Sequence, residues 1–191
     1  MSVLRLFVAL WPPIAVANNL AETAAEAART REGRDLRVTA PHRIHLTCAF
    51  LGDVAGQRVP ALADELADVA THANAPQLTI DRAGHFGDKV VWAAPSEPSD
   101  ELRNLAKSAR IAVRAAGLSV QGHEFRPHLT VARTRDEAVL TPVVDRLAAT
   151  LSLTPIDWLA EELQLVSSVR GATATYEVLE RWSLRAAAGT F

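Results

Sequence analysis

The sequence predicts an α+β fold of two related lobes facing a cleft. Three observations point to it. The same short motif occurs twice, as His45-Leu46-Thr47-Cys48 and His128-Leu129-Thr130-Val131. Each copy lies in a short apolar run that alternates like a strand, and each is followed by a helical pattern and then two strand patterns. Finally, 49% of the 191 residues are apolar, enough for a sizeable core, and no run is long enough to span a membrane. One bilobal domain over residues 1–191 is expected.

The elements follow in order. Residues 3–10 form an apolar strand; Arg5 in its middle and Pro12-Pro13 behind it argue against a signal peptide. The two prolines open an alanine-rich helix over residues 14–29, because proline's missing donor costs least in the first turn. The first motif makes a strand over residues 44–51, ended by Gly52-Asp53. Leu62, Leu66 and Val69 share one face of a helix over residues 59–72. Residues 77–83 and 89–93 read as strands around a turn at residues 84–87. After a loop, Leu102, Leu105, Ile111 and Val113 mark an amphipathic helix over residues 101–116, which Gly117 ends. The second motif makes a strand over residues 128–132. Residues 136–150 form a helix whose start Pro142 delays or interrupts. Residues 162–169 and 175–184 are a last strand pair turning at Gly171.

Composition excludes several classes. A net charge of −2 argues against a long track for duplex nucleic acid and leaves room for a short RNA end or a nucleotide. Among the 20 basic residues only Lys89 and Lys107 are lysine; guanidinium groups suit phosphate, although GC-rich coding yields the same bias. Arg29, Arg31, Arg34, Arg37 and Arg43 crowd the approach to the first motif. A single cysteine, Cys48, excludes a disulfide framework and a cysteine-rich zinc site, and makes the cytoplasm the default location. The sequence has no dinucleotide fingerprint, no P-loop and no nucleophile elbow.

On a strand, residues two apart point to the same side. His45 and Thr47 therefore share a face, as do His128 and Thr130, while the intervening Leu46 and Leu129 turn to the core. Two imidazoles and two hydroxyls in one cavity suit metal-free acid–base chemistry on a phosphodiester. One imidazole activates water, the other protonates the leaving ribose oxygen, and in-line displacement sets them on opposite sides of phosphorus. The threonine hydroxyls hold non-bridging oxygens. One His-x-Thr arises easily by chance; its duplication in matching halves carries the weight.

Two arginines are candidate phosphate clamps. Arg126, two residues before His128, has the correct parity. Arg133, five residues after it, faces away on an ideal strand unless a bulge or strand end turns it. His42 and His123 read as loop residues, His72 as a helix-end charge and His85 as a turn residue. Phe86 and Trp92 read as core, with stacking on a base as the alternative.

These residues resemble the 2H phosphoesterase superfamily, named for its two His-x-Thr/Ser motifs, and most of all the LigT-like RNA 2',3'-cyclic phosphodiesterases. The likeness runs from Arg5-Leu6-Phe7-Val8-Ala9-Leu10 through Phe50-Leu51-Gly52, Val90-Val91-Trp92 and residues 125–133 to Tyr176 and Arg181-Trp182-Ser183-Leu184. It implies two antiparallel sheets lining a central cleft, with helices outside. It also implies conversion of RNA 2',3'-cyclic phosphate ends to 2'-phosphates without a metal or other cofactor, and reversible 2'-5' joining. His45 and His128 carry over as the acid–base pair; for 2'-phosphate formation the expected assignment is His128 as base and His45 as acid, with the reverse left open. Thr47 and Thr130 carry over as phosphate ligands, and Arg133, ahead of Arg126, as the phosphate contact. The implied partner is an RNA 3' end or oligonucleotide bearing a cyclic phosphate, bound by a monomer that needs neither membrane nor protein partner. Cys48 departs from the family's aliphatic residue, and Gly171-Ala172-Thr173 lacks a Gly-Pro step near Tyr176. A small cyclic nucleotide or 2'-5' oligonucleotide as substrate, and a non-catalytic binder of RNA ends, are the alternatives.

Overall fold

The computed structural model describes residues 2–29, 36–122, 124–169, 171 and 174–186. Arg31, Arg34 and His123 lie outside the described residues, as does most of the turn expected around Gly171. In chain order the elements are β1 (Val3–Leu10), α1 (Ile14–Ala27), β2 (Arg37–Val38), β3 (Leu46–Ala55), α2 (Val59–His72), β4 (Gln77–Phe86) and β5 (Val90–Pro95). There follow α3 (Asp100–Ala115), β6 (Leu129–Arg133), α4 (Leu140–Leu153), β7 (Ile156–Leu159), β8 (Glu162–Val169) and β9 (Thr175–Ser183).

The strands lie in the order β7-β4-β5-β6-β3-β1-β8-β9, with β2 beside β6, and neighbours are antiparallel. Strands β3 and β6 meet at one residue pair, Leu46 with Leu129. The sheet therefore falls into two halves, β7-β4-β5-β6 with β2 and β3-β1-β8-β9, the two sheets expected from the resemblance. Helices α1 and α4 pack on the half containing β6, and α2 and α3 on the half containing β3. One apolar core lies between helices and strands, with Leu6, Leu46, Leu66, Leu105 and Leu129 fully enclosed. The other face of the β3 half carries a small separate cluster built on Phe7, Ala9 and Val166.

The halves are interlaced rather than sequential. The β4–β5 hairpin follows the first motif but pairs with β6, which carries the second. The β8–β9 hairpin follows the second motif but pairs with β1, the neighbour of β3. Each motif strand is thus completed by the hairpin that follows the other one.

Several boundaries differ from the sequence reading. Strand β4 continues through Gly84 to Phe86, so the turn falls at residues 87–89. Gly84 pairs with Trp92, and a Cβ there would run into the indole ring. Strands β2 and β7 were not expected, because two and four residues are too few to display a period. Strand β7 is held at the sheet edge by β4, where the Thr79 hydroxyl donates to Asp157 at 2.7 Å. A 3-10 turn over Glu137–Val139 precedes α4, and Pro142 falls in the helix's first turn, the interrupted start its ring requires.

Candidate active site

The Leu46–Leu129 pair is the hinge point of the site. Both leucines are fully buried, so the residues flanking each point to the opposite, open face. His45, Thr47, His128 and Thr130 are all half-buried there. Each histidine is the residue just before its strand rather than part of it. Extending the antiparallel register by one residue sets His45 across from Thr130 and Thr47 across from His128. Each imidazole therefore stands near the hydroxyl of the other copy, about a local pseudo-twofold axis.

A matching irregularity follows each motif. Along β1 the register passes from Thr47 to Ala49 and skips Cys48; along β5 it passes from Thr130 to Ala132 and skips Val131. These are β-bulges at the fourth residue of each copy. Two consecutive residues then turn inward, Cys48 with Ala49 and Val131 with Ala132, all buried. The bulge reverses the alternation beyond it. Arg133 is thereby brought to the face of His128 and Thr130, which an ideal strand would have denied it. Its charge reaches both imidazoles. Cys48 itself is inert: burial pushes its thiol up to about 12.

The two imidazoles are held alike. His45 Nδ1 lies 2.8 Å from the carbonyl oxygen of Arg43, and His128 Nδ1 lies 2.7 Å from that of Arg126. A carbonyl only accepts, so each Nδ1 carries the proton and donates it. Nε2 of each neutral ring keeps its lone pair. Burial pulls His45 down to about 4, and the charges of His128, Arg43 and Arg133 add to the effect against the opposing hydrogen bond. Burial also lowers His128, with Arg133 contributing. Both rings are therefore neutral at pH 7 when the cleft is empty.

The surroundings of the two rings differ. Trp11 stacks on His45 with centroids 4.5 Å apart, Phe7 lies at 5.0 Å and Tyr176 stands edge-on at 5.1 Å. The Trp11 indole donates to the carbonyl of His42 at 3.1 Å, which fixes the stacked ring. His128 has one aromatic neighbour among the described residues, Phe86, edge-on at 4.8 Å. Beside it opens a pocket of about 410 Å³ walled by Arg82, Phe86, Trp92, Phe125 and Arg126. Phe86 and Trp92 are half-buried at its rim rather than enclosed in the core.

Arg126 contributes its main-chain carbonyl to His128 and turns its guanidinium toward Glu124 at 3.4 Å. Sequence reasoning passed over its counterpart, Arg43. The Arg43 guanidinium lies over Tyr176 at 5.6 Å, and its Nε is buried without a partner among the described residues. A signal existed: the repeat extends back two residues, to Arg43-x-His45 and Arg126-x-His128. Trp11 and Phe7 gave none, since their place depends on the pairing of β1 with β3. The remaining histidines stay apart from the pair. His42 and His85 are exposed, and His72 sits at the end of α2, 3.5 Å from Asp68. Among the described residues no three His, Cys, Asp or Glu side chains are grouped to hold a metal ion. No described helix is long and apolar enough to cross a membrane.

Comparison with known proteins identifies the family. Residues 12–172 match the family model described as the 2'-5' RNA ligase superfamily. The chain is 31% identical to an RNA 2',3'-cyclic phosphodiesterase of Thermus thermophilus, across 95% of this chain and 91% of the relative. It is 28% identical to the Escherichia coli protein of the same description, across 94% and 96%. The crystal structure of E. coli LigT in apo form superposes with a TM-score of 0.78 at 26% identity, covering 97% of this chain and 99% of that one.

Proposed function

The chain belongs to the 2'-5' RNA ligase superfamily, and on that premise we propose that it opens 2',3'-cyclic phosphates at RNA 3' ends. The observation that carries this reading is the pair of imidazoles held in one tautomer, each with Nε2 unprotonated, on the two halves of the sheet. Water attacks phosphorus as His128 Nε2 takes its proton. The bond from phosphorus to the 3'-oxygen breaks in line, and imidazolium His45 protonates that oxygen. The products are a 2'-phosphate and a 3'-hydroxyl. Thr47 and Thr130 donate to the non-bridging oxygens, and Arg133 balances the charge that builds on them. A 5'-hydroxyl in the water's place gives a 2'-5' bond, the joining reaction.

The two environments support this direction of proton flow. His45, with its basicity cut furthest, releases a proton most readily once it has one. The stacked face of Trp11 favours the imidazolium while substrate is bound. His128, less enclosed, remains the better base.

The test is a short RNA ending in a 2',3'-cyclic phosphate, incubated in chelator. Conversion to a 2'-phosphate is expected. Tight binding without turnover would make the protein a binder, and turnover only after metal is restored would remove the two-histidine mechanism.

A pH dependence also follows. Catalysis needs one imidazolium, and both free rings titrate below the ordinary 6.5. As pH rises above that range, the one-proton form of the free enzyme shrinks about tenfold per unit. The value of kcat/KM should therefore fall steadily from pH 6.5 to 8.5. A profile flat or rising across that interval would contradict the assignment.

A further inference from the structure

We propose a second binding site outside the catalytic pair: a stripe of cations on α3 that takes the backbone phosphates of single-stranded RNA leading to the reacting end. The proposal rests on the function argued above and adds where the rest of the substrate lies.

Arg103, Lys107, Arg110 and Arg114 recur at intervals of four, three and four residues. At 3.6 residues per turn this places all four on one narrow line along the helix. The buried face of α3 is made instead by Leu102, Leu105, Ala106, Ala109, Ala112 and Val113, so the line runs along the helix flank. With a rise of about 1.5 Å per residue it extends roughly 16 Å. A stacked single strand rises about 3.4 Å per nucleotide, so that length spans roughly four or five phosphates.

The stripe is continuous with the site. It lines a depression of about 390 Å³ whose other wall is Glu124, Phe125 and Pro127. Those same three residues wall the pocket of about 410 Å³ that opens beside His128. A chain whose terminal phosphate sits between the histidines can thus leave past His128, cross Phe125 and run along α3. Two carboxylates oppose this path. Asp100 pairs with Arg103 at 3.2 Å, and Glu124 is turned to Arg126 at 3.4 Å. Both pairs are solvent-exposed and contribute little, so a phosphate can replace them. Charge complementarity selects the occupant: the whole chain carries −2, yet this one flank gathers four cations beside a candidate phosphoesterase cleft.

The test compares a 2',3'-cyclic mononucleotide with a hexanucleotide ending in the same group. The enzymes are wild type and a triple variant, Arg103→Gln/Lys107→Gln/Arg114→Gln. Arg110 is left in place because its guanidinium donates to the carbonyl of Gly122 and holds the loop. Three phosphate contacts on a single strand give a salt exponent of about −2, or a roughly 20-fold fall between 50 and 200 mM salt. In wild type, kcat/KM for the hexanucleotide should fall by at least that factor more than for the mononucleotide. In the variant this extra salt dependence should shrink by about that factor, together with most of the advantage of length, while the mononucleotide rate is unchanged. An undiminished length advantage in the variant would overturn the proposal. Anisotropy of a labelled hexanucleotide ending in a 3'-phosphate reads the stripe without turnover. If wild type hydrolyses neither substrate, the proposed function falls, and the stripe is still judged by whether the variant loses affinity. Displacement of that RNA by an acidic peptide as effectively as by a second RNA would make the surface a protein-binding face and end the assignment.

Discussion

Replacing His45 or His128 with alanine should lower kcat on an RNA 2',3'-cyclic phosphate by about 10²–10⁴-fold, the worth of one positioned acid or base. Neither ring is part of the main core, and each stands just outside its strand, so the fold should survive. Thermal unfolding of each variant checks this. The double variant should be little worse than either single one, because the two rings act on one transition state and their effects do not multiply. The two roles separate on an aryl phosphodiester, whose leaving group departs without a proton. His45→Ala should recover most of its rate on that substrate, and His128→Ala should not. Recovery by His128→Ala instead would exchange the two roles.

Arg133→Ala should cost about 10²–10³-fold in kcat, the range for removing one preorganised group that meets developing charge. It carries a second signature. The Arg133 charge lowers both imidazoles, so its loss should raise both and move the falling limb of the pH profile upward. A purely structural residue would lower the rate and leave the limb in place. Arg126→Ala should cost less than tenfold, because its hold on His128 runs through the main-chain carbonyl, which alanine retains. A larger loss at Arg126 than at Arg133 would reverse the choice between the two clamps.

The sequence made the motif strands, the helices and the mutual approach of the two copies legible, because each rests on a local period or on duplication. It could not supply what depends on pairing between strands. The parity of Arg133 is the sharpest instance. Alternation alone turns it away from His128, and the β-bulge that corrects it appears only once Val131 fails to find a partner on β5. The interlacing of the hairpins is hidden for the same reason: strand order within a sheet is not written in the spacing of apolar residues. Trp11 and Tyr176 lie 34 residues before and 131 residues after His45, and only β1 and the β8–β9 hairpin bring them to it. Arg43 is legible in the sequence as well, because the repeat extends two residues back from each histidine, to Arg43 and Arg126.

The pseudo-twofold arrangement of the motifs has a consequence for regioselectivity. A cyclic phosphate offers two ester oxygens, and two like imidazoles about an axis have no intrinsic means of preferring one. The choice of which bond breaks must come from what breaks the symmetry, namely the aromatic wall of Phe7, Trp11 and Tyr176 on one side and the open pocket of Phe86 and Trp92 on the other. The histidines supply rate, and the seating of the ribose decides the isomer. Reshaping those walls with both motifs intact should therefore change the ratio of 2'- to 3'-phosphate before it changes the speed.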